Sequence, residues 1–181
     1  EDFGSGGGSA VYARNVVANT GGRGGGRIHI RSDSVLVIEG RVSADGANGG
    51  WKDGYGGYDP GGGGGSGGSI LIEALNVTGG GVVRSNGGSP VKSSAGGGSG
   101  GRIAFHLEST VSNMESAPSL SVSVEALGGW SSAVSSSCGG GAAGTIFERH
   151  SNWTILRISN LANTAAQVMT ALSVYALTHL L

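Results

Sequence analysis

The side chains best equipped for chemistry crowd into one short stretch. Asp45, Asp53 and Asp59 lie close in sequence to Lys52, Trp51, Tyr55 and Tyr58. Two carboxylates at a fixed separation are the apparatus of acid/base glycoside hydrolysis. Here they sit among Gly46, Gly49, Gly50, Gly54, Gly56 and Gly57, a pliable setting for groups that need fixed geometry. No catalytic residue is therefore assigned. The aromatics suit stacking on a sugar or a partner, which makes Trp51, Tyr55 and Tyr58 the candidate ligand-stacking residues. Asp45, Asn48, Asp53 and Asp59 offer oxygen ligands of the kind calcium takes, but the Gly-Gly-x-Gly-x-Asp nonapeptide of calcium-binding repeats is not reproduced. His29, His106, His150 and His179 are dispersed, with no pair at ligand spacing, so neither metal nor cofactor is expected.

Two further chemistries are excluded by context. A phosphate-cradling loop follows a strand and opens a helix, whereas these glycine runs lead into strand-like segments and no Gly-Lys-Ser/Thr occurs. Gly22-Arg23-Gly24-Gly25 is a single RGG-like element in a chain of net charge −1, too little to bind nucleic acid. The lone Cys138 has no basic neighbour to make it a reactive thiolate. Modification is better represented. Asn76-Val77-Thr78 and Asn152-Trp153-Thr154 are N-glycosylation acceptors, so Asn76 and Asn152 are expected to carry covalent glycans on an extracellular or cell-surface protein.

The elements that position these residues are set by an unusual composition. Glycine supplies 39 of 181 residues, yet 38% of the chain is hydrophobic, so it is not a disordered glycine linker. The glycines follow no Gly-X-Y period and proline numbers three, which excludes collagen. The most apolar stretch, Leu161–Leu181, is interrupted by Asn163, Gln167 and His179, and no membrane span is expected.

An internal repeat organises the rest. Gly26-Arg27-Ile28-His29-Ile30, Gly68-Ser69-Ile70-Leu71-Ile72, Gly101-Arg102-Ile103-Ala104-Phe105 and Gly144-Thr145-Ile146-Phe147 each follow a glycine-rich run. A second half-motif aligns Gly40-Arg41-Val42-Ser43-Ala44-Asp45-Gly46 with Gly81-Val82-Val83-Arg84-Ser85-Asn86-Gly87, and Val124-Glu125-Ala126-Leu127-Gly128 is a looser copy. The anchors Ile28, Ile70, Ile103 and Ile146 are 42, 33 and 43 residues apart. Large residues two apart point to one side of a strand and can fill a core. A turn repeated in stacked layers must avoid side-chain crowding and often needs positive φ, and glycine meets both demands; Asp45-Gly46 and Asn86-Gly87 read as turn dipeptides in the same slot of the repeat. The longest runs, such as 61–65, read alternatively as extended polyproline-II-like layers over one face.

These motifs resemble the glycine-rich parallel β-helix repeats of large extracellular surface and adhesin-like proteins. The resemblance implies an all-β fold, a parallel β-helix (solenoid) over residues 1–160 with long glycine-rich loops; a β-sandwich is the alternative. Residues 161–181 are expected to form an apolar C-terminal assembly or capping segment: Thr164-Ala165-Ala166-Gln167 matches a helix capping box, whereas the repeat context favours a strand over Ser173–Leu181. Val174, Leu177, Leu180 and Leu181 are its candidate assembly residues, docking on residues 1–12 of the next copy to give a head-to-tail homo-polymer. The function expected is a structural subunit of an extracellular fibril, appendage or wall, without catalysis. A surface adhesin or carbohydrate-binding module is the alternative, and a polysaccharide-active enzyme fits less well.

Overall fold

The computed structural model describes residues 4–12, 16–50, 61–91, 95–108, 120–130, 139–151, 154–158 and 172–176. Every regular element among them is a strand. In chain order these are β1 (Ala10–Tyr12), β2 (Val16–Asn19), β3 (Arg27–Arg31), β4 (Val35–Val37), β5 (Arg41–Ser43), β6 (Ser69–Ala74) and β7 (Asn76–Thr78). There follow β8 (Val82–Arg84), β9 (Arg102–Leu107), β10 (Ser123–Glu125), β11 (Thr145–Arg149), β12 (Thr154–Ile158) and β13 (Leu172–Ala176).

The repeat anchors stand in register. Ile28 pairs with Ile70, Ile70 with Ile103 and Ile103 with Ile146, as β3, β6, β9 and β11 run parallel. The unequal sequence steps leave this pairing unshifted. Residues 109–119, in the connection from β9 to β10, lie outside the described residues. The second half-motif builds another parallel sheet, β5–β8–β10, with Val42, Val83 and Val124 in one rank. Parallel β4 and β7 add Leu36 opposite Val77. Side chains from these three sheets meet in one core, where Ile70, Ile72, Val83, Ile103 and Phe105 are almost fully buried. Alternation does the rest: β6 and β9 bury every second residue, as a strand with one face on a core must.

The parallel β-helix expected over 1–160 is not what forms. The sheets are mixed: β1–β2, β11–β12 and β12–β13 pair antiparallel, and the last two are part of the same six-stranded sheet as the parallel strands, in the order β13–β12–β11–β9–β6–β3. The alternative β-sandwich fares no better as a description, because β3, β6, β9 and β11 are parallel. The all-β class stands. The inward rank Ile30–Ile72–Phe105 ends at Glu148 on β11, so the apolar stack stops there. Glu148 is fully buried and is met by Arg157 of the antiparallel β12 at 3.0 Å.

The glycine-rich runs are neither loops nor strands. Each is extended and hydrogen-bonds sideways in more than one direction. Along 62–68 the successive N–H groups of Gly62, Gly65 and Gly68 donate to the carbonyls of Gly50, Ala47 and Ala44. Those of Gly63 and Ser66 donate to Gly8 and Ser5, and those of Gly64 and Gly67 to Gly96 and Ser99. Partners thus recur every third residue, the repeat of a polyproline-II helix, which has no internal hydrogen bonds and can satisfy its N–H groups only through neighbours. Burial follows the same period: Ala95, Gly98 and Gly101 are buried while Gly96, Ser99 and Arg102 are exposed.

Two stacked layers result. The runs 21–26, 61–68, 95–101 and 139–144, which lead into β3, β6, β9 and β11, lie parallel in the first layer: Gly22 bonds Gly63, Gly64 bonds Gly96 and Gly97 bonds Gly139. The runs 44–50, 85–89 and 126–130, which leave β5, β8 and β10, lie antiparallel to them in the grooves of a second layer. Close approach makes glycine obligatory here. A methyl added at Gly64 would overlap the Gly88 carbonyl, and one at Gly129 would do the same. Of the two demands expected to fix glycine in the repeat, crowding operates at Gly46 and Gly87 and positive φ does not; among the described glycines only Gly79 adopts it.

Candidate functional site

The glycine bundle holds its register through short polar side chains as well as backbone. Asp45 Oδ1 accepts the N–H of Asn86, and Asn86 Oδ1 accepts the N–H of Leu127, each at 2.8 Å and each 41 residues on. Asn48 Oδ1 accepts from Ser89 N–H in the same way, and Ser89 Oγ from that of Trp130. Asp45 also accepts from Ser43 Oγ and pairs with Arg84. Two of the four oxygen ligands weighed for calcium are thus engaged in spacing the bundle; Asp53 and Asp59 lie outside the described residues. Among the described residues no group of His, Cys, Asp or Glu is arranged to hold a metal ion.

A second polar cluster lies on the outer face of the six-stranded sheet. Register places Arg31, Glu73, His106 and Arg149 in one cross-strand rank. His29 Nε2 lies 2.7 Å from Glu73 Oε2, and His106 Nδ1 lies 3.8 Å from Glu73 Oε1. The His29 hydrogen bond, aided by the charges of His29, Arg31 and His106 against partial desolvation, holds the Glu73 carboxyl below its usual range. His106 also meets Phe147 edge-on, with centroids 6.1 Å apart. Beside this rank a cleft of about 460 Å³ is lined by Arg31, Asp33, Glu73, His106, Glu108 and Arg149 among others. In the linear sequence His29 and His106 stand far apart and read as dispersed. The signal that finds them is position in the repeat: Glu73 and His106 both stand three residues after an anchor isoleucine, at Ile70 and Ile103.

Of the modification sites, Asn76 opens β7 and is exposed, its Oδ1 accepting the N–H of Val77 at 2.8 Å. Exposed Leu75, Val35 and Val37 surround it in sequence and across the β4–β7 pair. Asn152 lies outside the described residues, as do Trp51, Tyr55 and Tyr58. Val174 lies in β13, opposite Leu156 of the chain's own β12; Leu177, Leu180 and Leu181 lie outside the described residues. Residues 4–8 bond to the chain's own 22–25 and 63–66, so both ends of the expected head-to-tail contact are engaged in cis where they are described.

Protein-family models, curated proteins and solved structures contain no match to this chain. Among the described residues no helix is long and apolar enough to cross a membrane.

Proposed function

We propose that this chain is a structural subunit of an extracellular or cell-surface assembly, a rigid building block without catalysis. The observation that supports this reading is the glycine bundle, in which backbone bonds backbone in three directions. Such a bundle gives up side-chain chemistry along most of its length and gains close packing and a defined spacing. An exposed acceptor asparagine at Asn76, beside exposed Val35 and Val37, fits a glycan that covers an apolar strand pair.

Negative-stain microscopy of the purified protein tests the reading. Filaments or regular arrays at high concentration are expected, and monodisperse monomers throughout would refute it. Intact mass before and after glycosidase checks the secreted setting: a mass loss is expected, and an unmodified mass removes that support.

A further inference from the structure

The glycine bundle has a third layer that is started but not completed. Residues 4–8 lie antiparallel in the outer groove between the runs 21–26 and 61–68. They donate from Gly4 and Gly7 to the carbonyls of Gly25 and Gly22, and accept at Ser5 and Gly8 from the N–H groups of Ser66 and Gly63. Ser66 Oγ adds a bond to the Ser5 carbonyl at 3.1 Å. The first layer continues past this seat, and its outer face has two more grooves of the same construction.

Register identifies the equivalent groups. In the next groove Gly96 and Ser99 stand where Gly63 and Ser66 stand, with the carbonyls of Gly64 and Gly67 opposite. In the last groove the amides are those of Gly139 and Ala142, and the carbonyls those of Gly97 and Gly100. Gly96, Ser99, Gly139 and Ala142 are exposed, and their N–H groups make no hydrogen bond among the described residues. The fold itself does not require glycine at two of these places. A methyl at Gly96 would come no nearer than 3.9 Å to any atom, and one at Gly139 would meet nothing within 4 Å. Side chains that would obstruct a neighbouring chain are nevertheless missing there, and Ser99 repeats the Ser66 that holds residues 4–8.

We propose that these two outer grooves are docking sites for residues 4–8 of another copy of this chain, exchanged out of their own first groove and lying antiparallel here as they do there. The site is specific in a simple way. An occupant must donate one N–H and accept at the next carbonyl every third residue, and carry no bulky side chain on the inward face. Continuity with the filled groove argues for this occupant: the same layer, the same face and the same donor and acceptor positions recur. The inference rests on the structural reading above and names the surface through which copies join.

The test is an amide-resolved NMR titration of the full chain with a synthetic peptide of residues 1–9. Shifts confined to Gly96, Ser99, Gly139 and Ala142 are expected, with exchange at these amides slowed about tenfold or more. Gly96→Val and Gly139→Val, placed where a side chain has room, should fold as the parent does and lose the response in their own grooves. No response at these amides at millimolar peptide, or a response unchanged in the valine variants, would overturn the proposal. Peptide binding by a protein that forms no filaments would refute the structural reading while leaving the grooves standing. Filaments unaffected by either valine would overturn the grooves and leave that reading intact.

Discussion

Replacing Gly64 by alanine should cost far more than a surface glycine usually does. Its added methyl would overlap the Gly88 carbonyl, which is backbone and cannot swing away. The run 61–68 and the Gly88 carbonyl must then shift apart. That separation strains the Gly88 to Gly65 bond, 2.8 Å, and the Gly98 to Gly88 bond, 2.9 Å. Overpacking of this kind costs about 2 kcal/mol, and each weakened hydrogen bond adds about 1 kcal/mol. A total near 4 kcal/mol is a large part of the roughly 5–15 kcal/mol that holds a domain together. Gly26→Ala is the matched control, because a methyl there meets nothing within 4 Å and φ is not positive. It should stabilise by about 0.5 kcal/mol through the entropy of the unfolded chain. Urea unfolding of the three proteins measures both effects. If Gly64→Ala unfolds within about 0.5 kcal/mol of the parent, close backbone approach is not what fixes glycine at this position.

Other outcomes follow from the core and its polar edges. Phe105→Ala empties a fully buried position between β6 and β11 and should cost about 3–5 kcal/mol in the same assay. Arg157→Ala leaves the Glu148 carboxylate buried beside no arginine and should cost about 3 kcal/mol; Arg157→Ala with Glu148→Leu should recover most of it. Glu73 has its folded pKa below the unfolded value of 4.5, chiefly through His29. Its stabilising contribution is therefore complete above that value and is lost as pH falls through the folded one. Carbon-13 titration of the Glu73 carboxyl should show its midpoint rising in His29→Ala.

Much of the architecture was legible from the sequence because it rests on one repeated device. Isoleucine after a glycine run marks the inward rank Ile28, Ile70, Ile103 and Ile146, and these pair in register despite unequal spacing. Parallel pairing, though, does not extend over all of 1–160 as the repeat implies. β12 and β13 turn back antiparallel where the apolar rank ends at Glu148, and a glutamate at a core position was the available clue. The glycines were the harder part. Runs of one residue type carry no facing information, so Gly46 and Gly87 read as turns when they are extended backbone in a bundle. Period-three burial shows only once the neighbours are known. The His29–Glu73–His106 cluster was hidden for a similar reason, since its members are far apart in sequence and meet only through strand register.

The most direct test of the bundle is NMR detection of couplings across individual hydrogen bonds along 66–68. The amide of Ser66 should correlate with the carbonyl carbon of Ser5, that of Gly67 with Ser99 and that of Gly68 with Ala44. Three successive residues reporting three different neighbouring runs would establish the three-directional mesh. Couplings that alternate between two flanking runs, as in a flat sheet, or amides that exchange too fast to show any, would contradict it.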